Sequence, residues 1–408
     1  RRLQSSIDSL LFQLYADGLL LGAQLCVLDV GSGERLAEAA IGHCAWDEPH
    51  PVLDTTPFQL SEMSKLLVTF CMLRLVERGA LSLADTVSGG VTLEQALSHT
   101  AGHLEFLASG VTSHLDMCDV EAMGRLAAAS PPLVPPGVRQ QYHHSSWGWM
   151  LAHACTLAGS TIQREWADMA QAALGIGGSQ RLSLTAPRNG NGVTAKGAVA
   201  FGSKAMTAPK VEVLITEFGF FSHVIKRGGA KDASDAEKAD GATWLSLFGK
   251  PQWLEPSGYA TPRAQKAVLP GLQAYATARD VAETLRAAAS GRLLSSAALS
   301  EALRSRKPPA SPLSKPTRMP APFRCYDAAE WGLGLQIVRP TARQTSDAPC
   351  WGHVAANGSF ALVLPGRRPI VATLVLNRTN GNDAADKVLN TIVEFAAQRS
   401  SGGNGKWK

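Results

Sequence analysis

The stretch Phe58-Gln59-Leu60-Ser61-Glu62-Met63-Ser64-Lys65 runs directly into an apolar run over residues 66–75. That run reads as a core helix, and Gly79 after Glu77-Arg78 is its stop signal. Lys65 stands at the head of the helix, three residues after Glu62 and four after Ser61, so these three share a helical face. Ser64 is adjacent to the lysine and points about 100° away. A carboxylate in the first turn is favoured by the helix dipole, and the residues by themselves predict a salt bridge from Glu62 to Lys65.

On the N-terminal side, Ile7, Leu10, Leu11 and Leu14 recur at helical spacing, and residues 22–30 and 35–41 read as two strands joined at Gly31-Ser32-Gly33. On the C-terminal side, Thr92 caps a short helix with Glu94 in its first turn. Residues 120–129, 147–157, 162–174, 276–288 and 296–303 are predicted helices, and residues 131–137 form a proline-rich loop. Residues 331–338, 359–364 and 370–376 read as strands, and residues 384–397 as a closing amphipathic helix.

Helix and hairpin at one end, helices in the middle, and strands with a helix at the other end predict an α+β domain. Its sheet is assembled from both termini, with flanking helices and a separate helical lobe. The expected division of the single 1–408 domain is a sheet lobe of residues 1–60 and 320–398 and a helical lobe of residues 61–305. Within it, residues 188–250 are a Gly, Ala, Lys and Asp-rich insertion, residues 306–322 a connector holding six prolines, and residues 399–408 a flexible tail.

With 45% hydrophobic and 18% charged residues, the 408-residue chain has the composition of a soluble globular protein. A net charge of +5 without a concentrated basic patch gives no case for a nucleic-acid partner. The seven cysteines are odd in number and widely spaced, as expected for small core residues in a reducing compartment. No apolar run reaches the length of a membrane span. The chain begins at Arg1-Arg2-Leu3, which is expected of a processed organellar protein or a piece of a longer one.

Several stretches, in this order, resemble the serine β-lactamase-like hydrolases, that is, class C β-lactamases, related esterases and penicillin-binding proteins. Residues 58–87, with Leu75, Gly79, Leu81, Leu83 and Asp85, resemble that family's active-site helix, where a Ser-x-x-Lys pair carries the nucleophile. Residues 97–102 resemble its Leu-x-His-Thr-Ser-Gly turn. Residues 142–149 (Tyr-His-His-Ser-Ser-Trp-Gly-Trp) are similar to the segment with the second catalytic group, and residues 351–359 to the Gly-His-x-Gly strand. Thr277-Ala278-Arg279-Asp280 and Leu376-Asn377-Arg378 extend the likeness to roughly residues 5–398. A narrower resemblance, through Cys118-Asp119, Pro136-Gly137 and Tyr142-His143, is to the β-lactamase-related domain fused to UbiB-type atypical kinases in plants and algae.

The resemblance implies a β-lactamase/transpeptidase-like fold and a site in which Lys65 and Tyr142 activate the nucleophile, His353 lines the strand wall, and the amides of Glu62 and Ala356 form the oxyanion hole. The nucleophile position itself holds Glu62. Ser61 is the alternative nucleophile, which would require a rebuilt turn before the helix. Ala355 stands where the family has Gly, and His144 where it has Asn. Three departures in one site predict a catalytically inactive protein, retained as a structural or interaction subunit of an organellar complex with protein partners. The rivals are an active esterase or peptidase using Lys65 and Tyr142, and a small-molecule-binding module. No cofactor is expected. No metal is expected either, since His143 and His144 are adjacent and face opposite ways on an extended chain.

Overall fold

The computed structural model describes residues 2–44, 50–103, 116–132, 134–140, 142–143, 146–175, 177–187, 231, 261–308, 326–340, 349–355, 358–377 and 383–401. Helix α1 (Arg2–Ala16) buries Leu3, Ile7, Leu11 and Leu14, the residues that recur every three to four positions. Strands β1 (Gly22–Asp29) and β2 (Arg35–Gly42) follow as an antiparallel pair. Next come β3 (Phe58–Gln59), a 3₁₀ turn (Ser61–Met63) and α2 (Ser64–Glu77), then β4 (Thr86–Ser88), β5 (Val91–Thr92) and α3 (Leu93–Leu97). Thr92 and Gln95 make a reciprocal capping box at the start of α3.

The helical lobe continues with α4 (Val120–Ala129), α5 (Ser146–Leu157), α6 (Ile162–Leu174), α7 (Gly178–Arg181) and α8 (Pro262–Lys266), and then strand β6 (Tyr275–Ala276), α9 (Ala278–Ala289) and α10 (Ser296–Leu303). The chain then returns to the sheet through β7 (Tyr326–Trp331), β8 (Gln336–Pro340), β9 (Cys350–Val354), β10 (Phe360–Leu364) and β11 (Ile370–Asn377), and closes with α11 (Asp383–Ser401).

The large sheet has seven strands in the order β2-β1-β11-β10-β9-β8-β7. Its N- and C-terminal parts join where β1 pairs antiparallel with β11, from Gly22 opposite Asn377 to Asp29 opposite Ile370. Both faces are covered, which explains why β1, β10 and β11 are buried along their whole length rather than alternating. On one face Ile7 and Leu11 of α1 and Val388 and Leu389 of α11 pack with Leu25, Phe360 and Leu374. On the other, α2 and α9 pack against the sheet as part of the core they share with the helical lobe.

Three expectations are corrected or sharpened. Residues 331–338 are not one strand, because β7 ends at Trp331 and β8 begins at Gln336. The reversal turns on Gly334 at φ 67, whose N–H donates to the Leu97 carbonyl and whose own carbonyl accepts from Thr69 Oγ1 at 3.1 Å. The closing helix extends through Ser401, and Arg399 donates to the Asp29 carboxylate, so residues 399–401 belong to the fold. At the head of the expected connector, Arg306 is held by Glu94 at 2.7 Å and Glu301 at 2.5 Å. The insertion 188–250 apart from residue 231, connector residues 309–322 and tail residues 402–408 lie outside the described residues. No helix among the described residues is long and apolar enough to cross a membrane.

Candidate active site

The approach to α2 is pinned from two sides. β3 pairs with β6, Leu60 N–H donates to the Ala274 carbonyl at 2.8 Å, and Gln59 Nε2 donates to Gln273 Oε1 at 3.1 Å. The next residue, Ser61, is held at φ 47, in the left-handed region that costs a residue with a side chain about 1–2 kcal/mol. Its carbonyl accepts from the Ser64 hydroxyl at 2.7 Å. This sharp entry sets Glu62 in the 3₁₀ turn and Lys65 in the first turn of α2.

Lys65 has 0% of its surface exposed. Its ammonium donates to the Gly271 carbonyl at 2.9 Å and lies 5.4 Å from the ring centre of Tyr142 and 5.3 Å from that of Trp147. The carbonyl and the two aromatic faces together offset part of the cost of burying the charge. The backbone that brings the carbonyl there is at φ 75, and a β-carbon on Gly271 would sit 3.0 Å from Lys65 Cγ and 3.1 Å from Trp147 Cε3. Besides the expected Glu62 three residues before it, Lys65 therefore has a carbonyl partner from a distant segment, which helical spacing did not announce.

Around the lysine the structure gathers rings from four separate parts of the chain. His99 lies in the turn after α3 at φ 58, with its ring 5.0 Å from Tyr142, 5.6 Å from His143, 5.8 Å from Trp147 and 4.4 Å from Trp331. Trp331 in turn stacks on Tyr142 at 5.6 Å and lies 5.5 Å from His353. Gln140 fastens these parts together, donating to the Ser98 carbonyl at 2.9 Å and the Trp331 carbonyl at 3.2 Å. His99 Nδ1 accepts the backbone N–H of His143 at 3.2 Å, so the neutral ring carries its proton on Nε2.

Burial sets the charge states. It drives His353 down to about 3, helped by the charge of Lys65 and opposed by that of Glu62. It likewise drives His99 well below the usual imidazole range, with His143, Lys65 and His353 adding to the effect. Burial also pushes the Tyr142 phenol well above its ordinary value, and the Glu62 carboxylate adds to the shift. At neutral pH the site therefore holds neutral imidazoles and a protonated phenol.

Of the residues singled out from sequence, Lys65 and Tyr142 meet directly, and His353 joins them through Trp331 and feels the charges of both Lys65 and Glu62. No hydrogen bond among the described residues joins the Ser61 hydroxyl to Lys65 or Tyr142. Ala355 is buried and closes the β9–β10 turn, its N–H donating to Ser359 O at 2.8 Å and its carbonyl accepting from Gly358 N–H at 3.0 Å. Ala356 and His144 lie outside the described residues. The contributions of Trp331 and Gly271 were not anticipated from sequence, although the Pro270-Gly271 dipeptide marks a turn. His99 lies within the turn at residues 97–102, but its meeting with Tyr142 depends on the fold. Among the described residues, no group of His, Cys, Asp and Glu is arranged to hold a metal ion.

The family model described as Beta-lactamase matches residues 7–396. The chain belongs to the Beta-lactamase family. Its fold is the β-lactamase/transpeptidase-like one, a large antiparallel sheet with helices. The structure of a family VIII carboxylesterase superposes with a TM-score of 0.70 at 16% identity over 98% of both chains. A penicillin-binding protein homologue from Caulobacter crescentus superposes with a TM-score of 0.66 at 22% identity over 97% of both. In sequence, this Beta-lactamase family chain is 27% identical over 189 residues to Esterase EstB of Burkholderia gladioli, an overlap of 40% of this chain and 45% of the esterase.

Proposed function

We propose that this Beta-lactamase family protein forms no acyl-enzyme and serves as a structural or interaction subunit. We further propose that it belongs to the lineage fused to UbiB-type kinases and works within an organellar assembly. The observation that carries the reading is Glu62, a carboxylate one helical turn before a fully buried Lys65 in an otherwise ordered frame. Acyl transfer requires an oxygen that can attack and then be released by water. A carboxylate attacking an acyl carbon would give a reactive anhydride, and loss of the serine nucleophile costs about 10⁶ in turnover in the subtilisin case. The raised Tyr142 phenol supports the same reading, because a protonated phenol is a poor general base. The lineage rests on the residues quoted for it in the sequence.

A fluorophosphonate and a β-lactam probe are expected to leave the native protein unlabelled, read by intact-protein mass. Stoichiometric labelling, at Ser61 or elsewhere in the site, would overturn the reading. Glu62→Ser is expected to gain labelling because the entry turn and Lys65 remain in place. The subunit role is tested by native purification followed by cross-linking, and recovery of the protein with no cross-linked partner would count against it.

A further inference from the structure

We propose that the arginine cluster where the β1–β2 and β10–β11 turns meet is a docking surface for an acidic segment of a partner protein. The proposal rests on the interaction-subunit reading above and gives that role a surface and a chemistry. Val30 N–H in the first turn donates to the Pro369 carbonyl in the second at 2.9 Å, so the two turns stand side by side at one end of the sheet. Arg286 of α9 reaches the same end, its Nε donating to the Val30 carbonyl at 3.1 Å. It lies so close to Gly33, at φ 73, that a β-carbon there would be 2.6 Å from the guanidinium. Arg399 of α11 arrives from the opposite face of the sheet and donates to the Asp29 carboxylate, and Gly366 packs tightly against the neighbouring Ser400. Arg367 and Arg368 follow Gly366 in the second turn, and both are exposed. None of these elements supplies a residue to the site around Lys65.

The charge balance fixes the partner class. The acids of the two turns are Asp29 and Glu34, against the guanidiniums of Arg286, Arg367, Arg368 and Arg399. Asp29 is already engaged, since it is 5% exposed and its carboxylate accepts from Arg399, from the Ser32 N–H at 2.8 Å and from the Ser32 hydroxyl at 3.0 Å. Arg368, with 60% of its side chain exposed, comes no nearer to that carboxylate than 3.7 Å. Among the described residues neither Arg286 nor Arg367 has an ion pair. Positive charge therefore stands in excess at this end of the sheet. A guanidinium presents paired N–H groups that match a carboxylate, and several on one surface suit successive acidic side chains. Anchoring to a bilayer takes apolar side chains beside the charge, and the exposed large apolar residues of the described chain, Phe12, Leu53 and Leu157, belong to other segments. The surface fits a carboxylate-bearing peptide better than a layer of lipid headgroups.

The test uses the full chain and a fluorescein-labelled hexaglutamate peptide, followed by fluorescence anisotropy at low salt, with hexaglutamine as the uncharged control. Saturable hexaglutamate binding is expected, with hexaglutamine at least about tenfold weaker. Arg367→Glu combined with Arg368→Glu should weaken hexaglutamate about tenfold or more. Arg125→Glu combined with Arg164→Glu, which changes the net charge equally at exposed helix positions, should leave binding within about twofold. If the first pair does not fold, Arg367→Gln with Arg368→Gln decides, with binding expected to weaken at least about threefold. No saturable binding, or an equal loss from the turn pair and the helix pair, overturns the proposal. Co-sedimentation with vesicles of equal parts phosphatidylserine and phosphatidylcholine tests the partner class, and capture of the chain on them at the salt that releases hexaglutamate would overturn the choice of an acidic protein. Cross-linking of native preparations separates this surface from the function it rests on. A partner retained by the Arg367→Glu, Arg368→Glu protein would overturn the docking surface and leave the subunit role standing, whereas absence of any partner would defeat the subunit role while the anisotropy reports on the surface alone.

Discussion

Lys65 gives the site its character at the residue scale. The fully buried ammonium donates to a backbone carbonyl and lies against two aromatic rings, and that carbonyl can approach so closely because residue 271 has no β-carbon. Gly271→Ala should therefore strain both the left-handed backbone and the lysine stem. A loss of about 1–3 kcal/mol is expected, seen as a lower urea midpoint with unchanged slope. An unchanged midpoint would mean that the turn relaxes and that the contact with Lys65 is incidental. At position 62 a carboxylate stands where the resemblance implies a hydroxyl, which is why Glu62→Ser is the informative substitution there.

Among the elements, α2 is the axle of the molecule. Its buried residues run from Ser64 to Leu75 with only Arg74 partly outside, so it packs on every side instead of presenting a single apolar stripe. Phe70 has 0% exposure in this core, and Phe70→Ala is expected to cost about 3–5 kcal/mol by chemical denaturation. A cost below about 1 kcal/mol would show that the helix is less tightly enclosed than it looks. On the sheet side, Gly352 of β9 stands at φ 150, where a β-carbon would collide with the Ala361 carbonyl. Gly352→Val should disrupt the β9–β10 pairing that carries His353 opposite Ala361, raising amide exchange in both strands while sparing α1.

For the whole molecule, stability should depend on pH in one direction. His99 and His353 are held neutral in the fold, and burial drives His103 to about 4. Each folded value lies below the unfolded value near 6.5, so the unfolded chain binds more protons between the two, and stability falls as pH drops. For Asp29, burial is outweighed by the Ser32 hydrogen bonds and the charges of Arg399 and Arg368, which lower its carboxyl. For Glu38, burial is outweighed by Arg279 and Arg35 in the same way. Stability from these two carboxylates is present above their unfolded values and lost as pH falls through the carboxylate range. The melting temperature is expected to decline from about pH 6.5 downward, with a steeper fall below about pH 4.5. A flat profile between pH 7 and 5 would show that the imidazoles reach solvent without unfolding.

Local chemistry was enough to place most of the elements. Periodicity located α1, α2, α4, α6 and α10, Thr92 announced α3, and the apolar strands at both ends announced a sheet made from the two termini. The order of the motifs named the family before any contact was known. The break between β7 and β8 was not legible, because Trp331-Gly-Leu-Gly-Leu carries apolar residues on both sides of a turn that exists only where Gly334 docks against Thr69 and Leu97. The contact between Lys65 and the carbonyl of residue 271 was not legible either, because the two are some two hundred residues apart and only the fold brings them together. The identity of each side chain, including Glu62 in place of a hydroxyl, is a property of the sequence alone. Which of those side chains share a buried, low-dielectric space is a property of the tertiary structure, because that space is enclosed by segments distant in the chain, and it decides the charge states of Tyr142, His99 and His353.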